Sequence, residues 1–301
     1  MDYRQLQLFL AIAERLNLSH AAEAMNITQP GLSKSMERLQ RELSTKLYQR
    51  RGRGIELTEA GRALSRHVRL IQCQLGEARA EVAGIAGGTI GHARIGAGPS
   101  WLSRHLPESI ATIMALHPNL RFTVETGFPD KLIGRLRVGG LDVVVGALPD
   151  NRIDPDLRFM RLTSDVIRVI GRAGHPLLAQ PGRTLTDYAA QRWVLPGPHE
   201  LVRQRLSQAF QAAGLADPVA AVETESLSLI LATLRLTDCL GLTTTQILLQ
   251  EEARGIVAVD HGDLHFTREA GIISRRHIDV SPSVKLLTAE LRKIATRHGA
   301  N

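Results

Sequence analysis

Residues 17–43 read NLSHAAEAMNITQPGLSKSMERLQREL, and the spacing inside this stretch decides the fold of the N-terminal region. The Thr28 hydroxyl can cap a helix, and Pro30 falls in that helix's first turn, where a missing N–H costs nothing. Leu32, Met36, Leu39 and Leu43 then recur at steps of three and four, which predicts a helix to about Leu43 with one buried stripe. Upstream, Ser19 is expected to cap a short helix from His20 to Met25, whose Ala21, Ala22 and Ala24 allow another helix to approach closely. Earlier still, Leu6, Phe9, Leu10, Ala13 and Leu16 share helical spacing within Asp2–Asn17, a supporting helix. Two short helices joined by a tight turn behind a supporting helix form the helix-turn-helix plan, in which the second helix enters the DNA major groove.

The next stretch, KLYQRRGRGIELT at 46–58, places Gly52 and Gly54 between two short extended runs and reads as a hairpin or wing. Lys46, Arg50, Arg51 and Arg53 make it basic, with no acid in 46–53. From Thr58 to about Ala86, Leu64, Val68, Ile71, Leu75, Ala78, Val82 and Ile85 form a heptad seam. Either two subunits pair along it, parallel or antiparallel, or the helix packs on its own chain. Gly84, Gly87, Gly88 and Gly91 then end the helix and supply a hinge.

Beyond Gly91 the pattern becomes α/β. Strand candidates are ARIGAG, RFTVET, DVVVGAL, RWVLPG, AAVETE, CLGLTTT, IVAVD and EAGIIS; helix candidates are 101–116, 130–138, 200–213, 226–235 and 281–298. Such alternation predicts helices covering a mostly parallel sheet, and over more than 200 residues it suggests two lobes.

A chain of 301 residues with 44% hydrophobic and 22% charged side chains has ample core material, which argues against disorder. The net charge of +7 and pI near 10.0 favour a polyanionic partner. Asp2, Arg4 and Glu14 interrupt the first apolar residues, so no signal peptide is predicted, nor is any stretch long enough to span a membrane; a cytoplasmic location is expected. Only Cys73 and Cys239 are present, far apart, which argues against a disulfide scaffold or cysteine metal site. A redox switch would need a cationic, exposed thiol that the sequence does not show.

The run from Phe9 to Leu64 resembles the DNA-binding domain of LysR-type transcriptional regulators. It shares Ala21, Ala22 and Ala24, the Thr28-Gln29-Pro30 start of the recognition helix, Leu32 and Ser33, and the exit at Ile55, Leu57, Thr58, Ala60 and Gly61. A weaker likeness continues through LDVVVG at 141–146 and VETES at 222–226, with one departure: Leu236, Thr237 and Asp238 stand where the family often has a glycine-rich run. The resemblance implies a winged helix-turn-helix over 1–58, a linker and dimerisation helix with hinge over 59–91, and an effector domain over 92–301. That domain would resemble a type 2 periplasmic binding protein, with one lobe from 92–162 and 267–301, the other from 163–266, and the ligand between them. It also implies a homodimer through the linker helix and a homotetramer through the sensor domains.

In that frame Thr28, Gln29, Pro30, Ser33 and Lys34 are expected at base edges and phosphates, and Arg38 at phosphate or paired with Glu42. Arg50, Arg51 and Arg53 would reach the backbone or a narrow minor groove, unless they simply form a solvated cluster. For the effector, GAGPSW at 96–101 ends a strand and opens a helix with Ser100 and Trp101 at its start, and a helix N-terminus suits an organic or aromatic acid. Gly127, Phe128, Leu148, Pro149, Gly197, His199 and Thr224 match cleft-lining segments of the family. No triad or nucleophile elbow is present, so no enzyme, cofactor or metal is expected, and HGDLH at 261–265 reads as a surface turn. A solute-binding protein and a ligand-independent architectural DNA binder are the rival readings.

Overall fold

The computed structural model describes residues 1–52, 54–87, 91–259, 261–276 and 280–299. Arg53 and Gly88 lie outside them, as does the side chain of Ile85. The chain divides into two compact units, the first of 1–89 with the short segment Arg137–Gly140 and the second of the remainder.

In the first unit α1 (Tyr3–Arg15) starts with a capping box: Asp2 accepts from the Gln5 N–H, and the Gln5 side chain accepts from the Asp2 N–H. Leu16 ends α1 in a left-handed conformation, φ 49°, and so points outward rather than into the expected stripe. The second helix, α2 (Leu18–Ala24), is capped by Asn17, whose carboxamide takes the Ser19 and His20 N–H groups, so the cap sits two residues before the expected Ser19. Ala21 and Ala22 are buried and Ala24 is exposed. Thr28 caps α3 (Gln29–Glu42) by accepting from the Gly31 N–H. Phe9, Ile12, Leu32, Met36 and Leu39 close the core, each stabilising it by about 1.5–3 kcal/mol on burial.

The wing follows as β1 (Tyr48–Arg51) and β2 (Gly54–Leu57), an antiparallel pair turned at Gly52, φ +59°. The Ile55 N–H donates to the Leu16 carbonyl, tying the wing to the end of α1. Thr58 caps α4 (Glu59–Gly87): its hydroxyl accepts from the Gly61 N–H and donates to the Lys46 carbonyl. Leu64 and Val68 pack into the helix-turn-helix core, so the first turns of the expected seam serve their own chain.

The second unit runs β3 (His92–Ala97), α5 (Pro99–Leu102), α6 (His105–Leu116), β4 (Arg121–Thr126), α7 (Pro129–Arg137), β5 (Val143–Ala147) and β6 (Leu157–Arg172). It continues with α8 (Pro176–Ala179), α9 (Leu185–Ala189), β7 (Arg192–Leu195), α10 (Leu201–Ala212), β8 (Val219–Glu223), α11 (Leu227–Leu236) and β9 (Gly241–Thr244). The last elements are α12 (Thr245–Leu248), β10 (Ile256–Ala258), β11 (His265–Arg275) and α13 (Pro282–Gly299). The expected helix 101–116 is broken into α5 and α6, since in a continuous helix the Pro107 ring would strike the Ser103 carbonyl.

The main sheet is mixed rather than mostly parallel. β3 pairs in parallel with β4 and β5, whereas β11 is antiparallel to β5 and β6, and β6 is antiparallel to β9 and β10. The cause is β6, a 16-residue strand absent from the sequence expectation, and its return partner β11. One carries the chain between two hydrophobic clusters and the other carries it back, so they must run in opposite directions. Met160, Leu162, Ala270 and Ile272 belong to the cluster around Trp101 and Leu287; Ile167, Val169 and Phe266 belong to that around Trp193 and Phe210. β7 and β8 form a separate parallel pair.

Candidate functional site

The first site is the outer face of α3. Burial of Leu32, Met36 and Leu39 turns Gln29, Pro30, Lys34 and Arg38 outward and leaves Ser33 half-buried. Thr28 is exposed, its hydroxyl occupied in part by the cap. Among the described residues Lys34, Arg38 and Arg50 enter no ion pair. The expected Arg38 partner, Glu42, is held instead by the amino group of Met1 at 2.6 Å. Arg51 reaches across the wing to Glu56 at 3.1 Å, so one wing arginine is already balanced. Tyr48, at the root of the wing, has its phenol pushed up by burial and by the nearby Glu37 carboxylate. The surface is thus a helix start with free polar edges, flanked by uncompensated positive charge, the chemistry that a phosphate backbone and base edges require.

The second site lies within the α/β unit, where β6 and β11 cross between its two hydrophobic clusters. A cleft of about 70 Å³ opens there, walled by Phe128, Ile167, Val202, Leu227, Leu242 and Ile247. Ser100 and Phe128 are the expected effector residues that line it. Trp101 does not: it is buried in the core against the His105 ring, centroids 4.9 Å apart. Leu148 is likewise core, packed with Leu132 and Ile273. The Gly127 N–H donates to the Ala97 carbonyl, and the Pro149 carbonyl accepts from Arg152. Gly197 and His199 sit in the turn before α10, their carbonyls accepting from the Glu200 N–H and the Gln204 side chain. Thr224 caps the Ser226 N–H. Since α5 is a single turn, the anion affinity expected of its N-terminus falls to side chains instead.

Those side chains escaped the sequence reading. Arg268, on β11, stands directly across the ladder from Asp165 on β6. Its Nη2 donates to Asp165 Oδ2 at 3.2 Å and to Ser100 Oγ at 3.1 Å. Asp165 is 4% exposed. Thr244, at the end of β9, also lines the cleft with its hydroxyl buried and unpartnered. An Arg and an Asp about 100 residues apart carry no mutual signal in one sequence; only strand register joins them. Near Glu225 of the lining, Glu200 is raised to about 7 by burial and by the Asp130 and Glu225 carboxylates. His261 lies before a 3₁₀ turn, Gly262–Leu264, which rules out the helical spacing that HGDLH would need to bind metal as a pair.

Two family models match in tandem. Residues 3–62 match the bacterial regulatory helix-turn-helix protein of the lysR family, and residues 86–295 match the LysR substrate binding domain. The chain belongs to the LysR family. This LysR protein is 31% identical over 294 residues to the HTH-type transcriptional regulator GalR of Pseudomonas putida, spanning 97% of this chain and 74% of that one. It is 29% identical over 299 residues to the HTH-type transcriptional regulator PcaQ of Agrobacterium fabrum, spanning 98% and 95%. In fold it resembles the LysR regulator CbnR in complex with its target DNA, with a TM-score of 0.64 at 20% identity over 98% of this chain and 100% of that one. The LysR protein is therefore a transcriptional regulator that couples a helix-turn-helix domain to an effector-binding domain. Both modules in one chain set the solute-binding rival aside. No described helix of it is long and apolar enough to cross a membrane.

Proposed function

We propose that this regulator reads a specific double-stranded DNA site with Thr28, Gln29, Pro30, Ser33 and Lys34, while Arg38, Arg50, Arg51 and Arg53 hold the backbone. The carrying observation is the outer face of α3, where Gln29, Lys34 and Arg38 are exposed beside a basic wing and, among the described residues, Lys34 and Arg38 enter no ion pair. Gln29 suits an adenine edge, and Lys34, Arg38 and Arg50 suit phosphates. Two subunits pair through α4, a reading supported by Ile71, Leu75 and Val82, which stay 39%, 37% and 67% exposed on the isolated chain. A homotetramer forms through the apolar surface of α6 and the edge strand β4, where Leu106, Ile110, Met114 and Val124 line an open groove. The effector is an organic acid held in the cleft beside Ser100 and Phe128, within a domain of lobes 92–162 with 267–301 and 163–266. The protein works in the cytoplasm, without catalysis.

The test is binding to DNA from the protein's own upstream region against unrelated DNA at matched physiological salt. A preference of about a hundredfold or more, lost in the Gln29→Ala, Arg50→Ala double variant, is expected. Equal affinity for both fragments would replace the sequence-specific reading with an architectural one.

A further inference from the structure

Among the described residues, the cleft lining carries one cation, Arg268, and one acid, Glu225, and the cation is already paired. Arg268 is 15% exposed and already balanced by Asp165, and Glu225 adds a further negative charge to the lining. A plain carboxylate entering here meets a guanidinium that is taken and one carboxylate in the lining, Glu225, with the buried Asp165 held against Arg268. If it displaced Asp165, that side chain would be left as a buried, unpaired charge, which is more costly than the ion pair it replaced.

Nevertheless the cleft is built to take a carboxylate. Arg268 uses only Nη2, and its Nε is buried without a partner, leaving a side-on edge of the guanidinium half used. The Ser100 hydroxyl accepts from Arg268 and keeps its own proton to donate. Thr244 offers a second buried hydroxyl with nothing to bond. What satisfies both facts is a ligand carrying its own positive charge next to its carboxylate. Arg268 and Asp165 touch at 3.2 Å, so the two charges must be equally close, as they are when both sit on one carbon.

We infer that the effector is a zwitterionic α-amino acid with an apolar side chain. Its carboxylate binds Arg268, Ser100 and Thr244, its ammonium replaces Arg268 as the partner of Asp165, and its side chain lies among Phe128, Ile167 and Leu242. Binding exchanges one internal ion pair for two intermolecular ones, so no buried charge is left alone. Because that internal pair is a rung of the β6–β11 crossover, the exchange acts where the two lobes join, the position from which their arrangement can change.

This inference rests on the cleft being the effector site, and its test separates the two. The full-length protein is titrated with L-leucine, L-valine, L-methionine and L-phenylalanine by calorimetry and thermal shift. The half-charged analogues 4-methylpentanoate and 3-methylbutylamine are titrated alongside. At least one amino acid is expected to bind and raise the melting temperature, with either analogue at least tenfold weaker. Arg268→Met and Asp165→Asn should each abolish the shift while retaining DNA binding. Should either fail to fold, Thr244→Val, which keeps the shape, is expected to weaken binding about tenfold. Tighter binding of 4-methylpentanoate than of leucine, strengthened further by Asp165→Asn, would overturn the zwitterion while sparing the cleft as the effector site. Silence from all four amino acids would overturn it too, and neither result touches the DNA-binding reading.

Discussion

Glu200 is a carboxylate placed where a charge is disfavoured. It precedes α10, half-buried, near Asp130 and the cleft-lining Glu225; burial and these two neighbours raise it from an ordinary 4.5 to about 7. Below pH 4.5 it is protonated in both folded and unfolded chains and costs nothing. Between 4.5 and 7 the unfolded chain releases the proton while the folded chain keeps it, so stability falls, and above 7 the whole cost is present. Glu200→Gln should therefore raise the melting temperature at pH 8 by about 1–3 °C, a small figure because the site is partly solvated, with no gain at pH 4. Equal effects at the two pH values would show that these carboxylates do not interact. At this scale the sequence was informative where function follows local order. Thr28, Gln29, Pro30 and Lys34 could be placed because helical spacing alone decides which residues face outward. It was least informative for Arg268 and Asp165, whose meaning comes from a partner remote in sequence.

At the scale of elements, most helices announced themselves through caps and periodicity, and the exceptions have local causes. Asn17 took the cap expected of Ser19 because its longer side chain reaches two N–H groups at once. The strand β6 went unseen because Arg158, Arg161, Ser164, Asp165 and Arg168 interrupt its apolar alternation, and their burial depends on what β11 lays beside them. The Thr58-x-Ala60-Gly61 exit shows a motif with a packing reason: a Cβ on Gly61 would stand 1.9 Å from the Leu47 carbonyl oxygen, a backbone atom that cannot swing aside. Gly61→Ala is expected to cost about 2–3 kcal/mol, read as an earlier unfolding transition of the N-terminal unit by calorimetry. Unchanged melting would mean that α4 can slide along the strand-leading segment. For α4 itself, Ile71→Asp with Leu75→Asp should leave the helix content intact and halve the mass measured by sedimentation equilibrium. An unaltered mass would remove α4 from the subunit interface and restore the reading in which it serves only its own chain.

For the whole molecule, assembly is the open variable. Met114 and Val124, 51% and 39% exposed, sit on α6 and on β4, whose outer edge is unpaired among the described residues. Met114→Asp is expected to convert a tetramer to a dimer without loss of the α4 pairing, and mass photometry at nanomolar concentration distinguishes the two; persistence of the tetramer would move the second interface elsewhere. The division between sequence and structure follows from range. By itself the sequence determined the helix-turn-helix, its outward-facing residues, the wing, the long helix and the α/β class, since caps, turn glycines and periodicity act over a few residues. It could also carry the family resemblance, because the motif from Ala21 to Gly61 is contiguous. Only the tertiary structure decided that the sheet is mixed, that Trp101 and Leu148 are core, and that Ser100, Thr244 and Arg268 line one cleft with Asp165 paired to Arg268. Those outcomes depend on strand register between segments more than 100 residues apart, and no local preference encodes which rung of a ladder a residue will occupy.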